Sequence, residues 1–141
     1  METATLHAYD KVMVVDDSEV DRFIIHRMMT INAFSREILL MPSAKAAINS
    51  LLSIQEPGEI PSLIFLDIRM PEIDGFEFLN MYSRLSDTIK KRCSVIMISS
   101  SCDDSDRRRV GINPYVHSFI DKPISKSKLE TIKSLQSQSS N

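Results

Sequence analysis

The sequence has no tryptophan, three glycines and two cysteines among its 141 residues. So little glycine excludes a collagen-like chain, and 43% apolar against 26% charged residues excludes a disordered segment or a coiled coil. Cys93 and Cys102 have the spacing of neither a zinc knuckle nor a redox pair, and read as two reduced structural thiols. No apolar run approaches the roughly 20 residues that span a bilayer, and Met1 to Asp10 lacks the apolar stretch of a secretory signal. The expectation is a cytoplasmic protein with no membrane partner. An excess of one charge is also missing: 17 Lys+Arg against 19 Asp+Glu leave a net charge of −2, so electrostatics gives no case for nucleic acid. The length suits one globular domain.

What the chain does contain is a regular alternation. Short apolar runs, Val12 to Val15, Ile38 to Met41, Leu63 to Leu66, Val95 to Ile98 and more weakly Val116 to Ile120, read as strands of a sheet covered on both faces. Between them, Val20, Phe23, Ile24, Met28 and Ile31 fall on one helical face. So do Ala44, Ala47, Ile48, Leu51 and Leu52, and likewise Phe78, Leu79, Tyr82 and Leu85. Leu129, Ile132 and Leu135 mark a last helix. The repeated strand-helix order predicts an α/β fold with five parallel strands and right-handed crossovers, spanning residues 11–135 between flexible tails 1–10 and 136–141. Ser18 with Asp21 forms a candidate capping box, Pro42-Ser43 opens the second helix, and Asp103, Asp104 and Asp106 open the fourth. Gly111 is its expected stop, and Arg107 to Arg109 read as its solvated end.

In an open parallel sheet, ligands bind beyond the carboxyl ends of the strands. Those ends carry Asp16-Asp17, Asp67, Ser99-Ser100 and Lys122-Pro123. Three carboxylates brought together repel one another and call for a cation, and hard oxygen ligands suit Mg²⁺. Such an ion would attract a phosphoryl group, with Lys122 as its charge partner, Ser99 as a hydrogen-bond donor and Asp67 as the candidate nucleophile. Taken singly, each residue has an ordinary reading: Asp17 or Ser18 as a helix cap, Asp67 as the start of a turn toward Pro71, Ser99 as a strand-end hydroxyl, Lys122 as a solvated lysine. Their joint occurrence at four strand ends is what points to chemistry.

The segments Val14-Val15-Asp16-Asp17, Leu66-Asp67-Ile68-Arg69-Met70-Pro71 with Asp74-Gly75, Ile98-Ser99-Ser100, and Phe119 with Lys122-Pro123 resemble the receiver domain of two-component response regulators. The resemblance runs from about Lys11 to Leu135 and implies a doubly wound (βα)5 flavodoxin-like domain with strand order 2-1-3-4-5. It implies that Asp67 accepts a phosphoryl group from a histidine kinase or histidine phosphotransfer protein. It makes Asp16, Asp17, Asp67 and the backbone carbonyl of Arg69 the Mg²⁺ site, and Lys122 and Ser99 the phosphoryl-binding pair. Ser99 and Phe119 become the switch, biasing the surface of the fourth helix, fifth strand and fifth helix; a cis Lys122–Pro123 peptide is implied too. Three features depart from the family's pattern: the segment Gly111 to Lys122, with Asn113-Pro114 inserted before the fifth strand, Arg69, and Ser100. The last two predict an altered phosphoryl lifetime.

The expectation is a stand-alone phosphoacceptor rather than an enzyme, acting at most on its own phosphoryl group. The alternative is a degenerate receiver that binds protein without phosphorylation. An aspartyl phosphohydrolase is disfavoured, because no strand is followed by Asp-x-Asp-x-Thr and no general acid follows Asp67. Strand ends crowded with carboxylates also make a poor flavin phosphate site. His7, His26 and His117 lack metal-ligand spacing, and Met28-Met29 offers a candidate partner contact of which one residue is core.

Overall fold

Five parallel strands, each followed by a helical segment, form one sheet in the computed structural model, which describes residues 6–139. In chain order the elements are β1 (Tyr9–Val15), α1 (Glu19–Ile31), β2 (Ser35–Met41), α2 (Ala44–Leu52), β3 (Leu63–Asp67), α3 (Gly75–Tyr82), α4 (Asp87–Arg92), β4 (Ser94–Ser99), α5 (Asp104–Ile112), β5 (Val116–Asp121) and α6 (Lys126–Ser139). The sheet order is β2-β1-β3-β4-β5. All neighbouring strands are parallel.

The runs are apolar without alternation because both faces of the sheet are covered. Met13, Val15, Ile64, Leu66, Val95 and Met97 face one way, into a core closed by Ala47, Leu51, Phe78 and Tyr82. Val12, Val14, Leu63, Phe65, Ile96 and Ile98 face the other way, against Ile25, Met29, Leu129 and Ile132. Two hydrophobic layers therefore sandwich the sheet, and its polar C-terminal edge is left free for chemistry.

Several expectations need correction. On α1 the buried residues are Ile25 and Met29, while Val20, Phe23, Ile24 and Ile31 are exposed, Phe23 to 64%. Apolar side chains encircle much of that helix, and only the stripe that carries Ile25 and Met29 is covered. Met28 packs half-buried at the margin of this core. Leu52 likewise points to solvent. A short extra helix, α4, capped by the Ser86 side chain, precedes β4, so the expected fourth and fifth helices are α5 and α6. α5 runs through Gly111 to Ile112 and is capped by Asn113. Its arginines are exposed but not simply solvated: Arg107 lies 5.2 Å from the Phe119 ring centroid and Arg109 lies 3.7 Å from that of Phe76. The Ser18 side chain accepts the Asp21 N–H as a cap, but the Asp21 carboxylate is used elsewhere.

The tail boundaries also move. Tyr9 already pairs with Ser35 in the sheet, and α6 continues to Ser139. Residues 1–5 and 140–141 and the Leu135 side chain lie outside what the structure describes.

Candidate functional site

Asp16, Asp17, Asp67, Ser99 and Lys122 all lie at or just beyond a strand's C-terminal end. Asp16 follows β1 and is fully buried; Asp17 beside it is exposed. Asp67 closes β3 at 5% exposure, and Ser99 closes β4, also buried. Lys122 follows β5, where its N–H bonds the Ser99 carbonyl at 2.9 Å and joins the two strand ends. The Lys122–Pro123 peptide is cis. One oxygen each from Asp16, Asp17 and Asp67 lies within 4.8 Å of the other two. None of His7, His26 or His117 takes part in this cluster.

The loop after β3 is shaped by three residues. A Cβ on Gly75 would stand 2.7 Å from the Asp67 carbonyl oxygen, so only glycine lets α3 start this close to the acid. Asp74 caps that helix, its side chain accepting the Glu77 N–H at 2.9 Å. Glu72 adopts φ 64°, a left-handed conformation that costs a non-glycine residue energy.

The electrostatics center on Lys122. Its Nζ lies 2.7 Å from Asp16 Oδ2, 2.7 Å from Asp21 Oδ2 and 3.5 Å from Asp67 Oδ2. Burial, with repulsion from Asp16 second, pushes the Asp67 carboxyl up to about 6, against the pull of Lys122 and of the Arg69 N–H, which donates to Asp67 Oδ1 at 3.2 Å. Burial works to lower the Lys122 ammonium. The close contacts with Asp16 and Asp21, with the charge of Asp67, outweigh that and hold it above the ordinary lysine value. The site thus holds more negative charge than one ammonium neutralises, and its donors are all oxygen. Those are the properties of a hard divalent-cation site.

The remaining expected residues make local contacts. The Ser99 hydroxyl donates to the Ser101 carbonyl at 2.6 Å and accepts the Ser101 N–H at 3.1 Å. Phe119 is half-buried on β5 against the core, with the Arg107 guanidinium over its ring. Arg69 turns its guanidinium to Asp106, a buried carboxylate that also accepts the Asp103 N–H at the start of α5. Sequence reasoning missed this pair and the Asp21–Lys122 pair. For Asp21 the available signal was its place four residues after Asp17, one turn along the chain toward the same edge.

Sheet order defines a flavodoxin-like α/β domain, with an acidic cluster at the C-terminal edge of its strands. The chain belongs to the response regulator receiver domain family, which it matches over residues 12–133. The osmosensing histidine protein kinase SLN1 of Saccharomyces cerevisiae is 27% identical over 122 residues, which cover 86% of this chain and 10% of the kinase. The probable methanogenesis regulatory protein FilR2 of Methanothrix harundinacea is 30% identical over 116 residues, 81% of this chain and 72% of that protein. The crystal structure of a two component response regulator from Cytophaga hutchinsonii superposes with a TM-score of 0.82 at 28% identity, over 92% of this chain and 95% of that one. The chain thus spans a tenth of the length of the yeast kinase and most of the length of the other two. Receiver domains in general interact with histidine kinases or phosphotransfer proteins and bind Mg²⁺ at an acidic pocket, and this chain has an acidic cluster of Asp16, Asp17 and Asp67. No helix among the described residues is long and apolar enough to cross a membrane.

Proposed function

We propose that this chain accepts a phosphoryl group on Asp67 from a phosphohistidine of a histidine kinase or histidine phosphotransfer protein. The observation that carries this reading is a buried carboxylate at a strand end, 3.5 Å from an ammonium and within 4.8 Å of two further carboxylates. Asp16, Asp17, Asp67 and the Arg69 carbonyl would hold Mg²⁺. The ion, when bound, offsets charge on the phosphoryl oxygens.

In the transfer, an Asp67 carboxylate oxygen bonds to phosphorus while the phosphorus–nitrogen bond to histidine breaks. The imidazole, protonated on its other nitrogen, leaves as the neutral ring. Lys122 pairs with a phosphoryl oxygen as a compact charge. Ser99 leaves the Ser101 carbonyl and donates to another phosphoryl oxygen, which frees room for Phe119 to turn inward and shifts the population of the α5–β5–α6 surface. The exposed Ile24 of α1, which lines the cleft beside Lys122, supports docking of the donor there. The chain works in the cytoplasm and passes its signal by protein contact or onward phosphotransfer, with no small-molecule turnover.

Intact mass after incubation with Mg²⁺ and acetyl phosphate tests this. One hydroxylamine-labile phosphoryl adduct is expected on the wild type and none on Asp67→Ala. An unmodified wild type, or an adduct that survives the substitution, overturns the reading; the former outcome favours a binding module that works without phosphorylation.

A further inference from the structure

An ammonium has three N–H bonds, and three carboxylates stand around that of Lys122: Asp16 at 2.7 Å, Asp21 at 2.7 Å and Asp67 at 3.5 Å. Asp16 and Asp67 belong to the acidic cluster, and Asp21 does not. Asp21 sits in the first turn of α1, where its backbone N–H caps onto Ser18 at 3.1 Å and the helix terminus favours its negative charge. Its side chain is 36% exposed and reaches a lysine 101 residues away in the sequence.

We propose that Asp21 is a positioning residue for phosphoryl acceptance: it accepts a hydrogen bond from the Lys122 ammonium and, with Asp16 at ion-pair distance on another side, holds that ammonium beside Asp67. The inference rests on the reading of Asp67 as phosphoacceptor. A lysine head on four rotatable bonds is costly to hold in one place, and Asp16 alone would leave it free to pivot. Beside it opens a cleft lined by Asp21, Ile24, Ser100, Lys122 and Ile124, into which an unanchored ammonium would swing toward water. Asp21 blocks that motion from the α1 side.

The experiment compares wild type, Asp21→Ala and Asp21→Asn by two readouts. One is the rate of Asp67 phosphorylation by acetyl phosphate; the other is the Lys122 ammonium signal in ¹H–¹⁵N NMR of the protein without phosphodonor or metal. Asp21→Ala is expected to slow phosphorylation about tenfold, the loss of one fixed lysine rotamer, and to broaden the ammonium signal through exchange with water. Asp21→Asn keeps an acceptor oxygen in place and recovers part of both. Equal or faster phosphorylation of Asp21→Ala overturns the proposal; faster is what a merely competing counter-charge would produce. So does a lowered melting temperature with the ammonium signal unmoved, or an Asn variant no better than Ala. A wild type that takes no phosphoryl group would instead bring down the phosphoacceptor reading itself, an outcome separate from a labelled wild type with an indifferent Asp21.

Discussion

Replacing Asp67 with asparagine stabilises the metal-free protein, because the native carboxylate is held in an environment that resists its charge. The Asp67 carboxyl is raised from 3.8 to about 6, first by burial and then by Asp16. A shift of that size corresponds to about 3 kcal/mol of folding free energy at neutral pH. Asparagine removes the charge and still accepts the Arg69 N–H, while Lys122 keeps Asp16 and Asp21, each at 2.7 Å. An unpartnered amide N–H in the new side chain gives back roughly 1 kcal/mol, so the net gain is about 1–3 kcal/mol. The sign follows from linkage: the folded wild type binds a proton at Asp67 more tightly than the unfolded chain does, so it regains stability as pH falls. Urea unfolding in EDTA measures the difference. The variant's advantage is expected to be full at pH 7, to shrink as pH drops through about 6 and, below about 4, to give way to a small deficit from the unpartnered amide. Saturating Mg²⁺ at pH 7 narrows it by stabilising the wild type. An asparagine variant less stable than wild type in EDTA at pH 7, or a gap unchanged between pH 4 and pH 7, would refute the reasoning.

Other expectations follow from the same geometry. Lys122→Met leaves the fully buried Asp16 and the nearly buried Asp67 without their cation and is expected to cost about 3 kcal/mol in metal-free urea unfolding, with partial recovery in Mg²⁺; an undiminished midpoint would show that the ammonium is not the site's counterion. Gly75→Ala puts a Cβ 2.7 Å from the Asp67 carbonyl oxygen and 3.0 Å from the Ile68 Cα, backbone atoms that cannot rotate away. It should lower stability by roughly 1–3 kcal/mol and slow phosphorylation, as read by thermal melting and intact mass. In the folded protein, iodoacetamide is expected to label half-buried Cys102 first, since burial pushes the Cys93 thiol up to about 12. Peptide mapping that finds Cys93 modified first would contradict the packing of Cys93 against the core.

Much of the site was legible because in this fold a residue's place in the chain is also its place in space. Asp16, Asp67, Ser99 and Lys122 each terminate or follow an apolar run, and a parallel sheet brings such ends to one edge. The strands were legible for a related reason: Val12 and Val14 serve one layer, Met13 and Val15 the other, so no polar residue interrupts the run. The covered stripe of α1 was not. Val20, Phe23, Ile24, Ile25, Met28, Met29 and Ile31 surround most of that helix, and hydrophobic period alone does not say which of them meets a sheet. Short α4, held by a Ser86 cap and the burial of Ile89, carries too few residues to reveal a period.

By itself the sequence determined the alternation of the five strands with their main helices, the two-faced burial of the sheet and the acidic edge, since these depend on local composition and on a topology that parallel strands enforce. Only the tertiary structure decided which charges meet. Arg69 finds Asp106 across 37 residues, and Lys122 finds Asp21 across 101. An ion pair leaves no periodicity in the chain; it exists because two loops and a helix terminus converge at the same strand ends, where desolvation makes each unpaired charge costly.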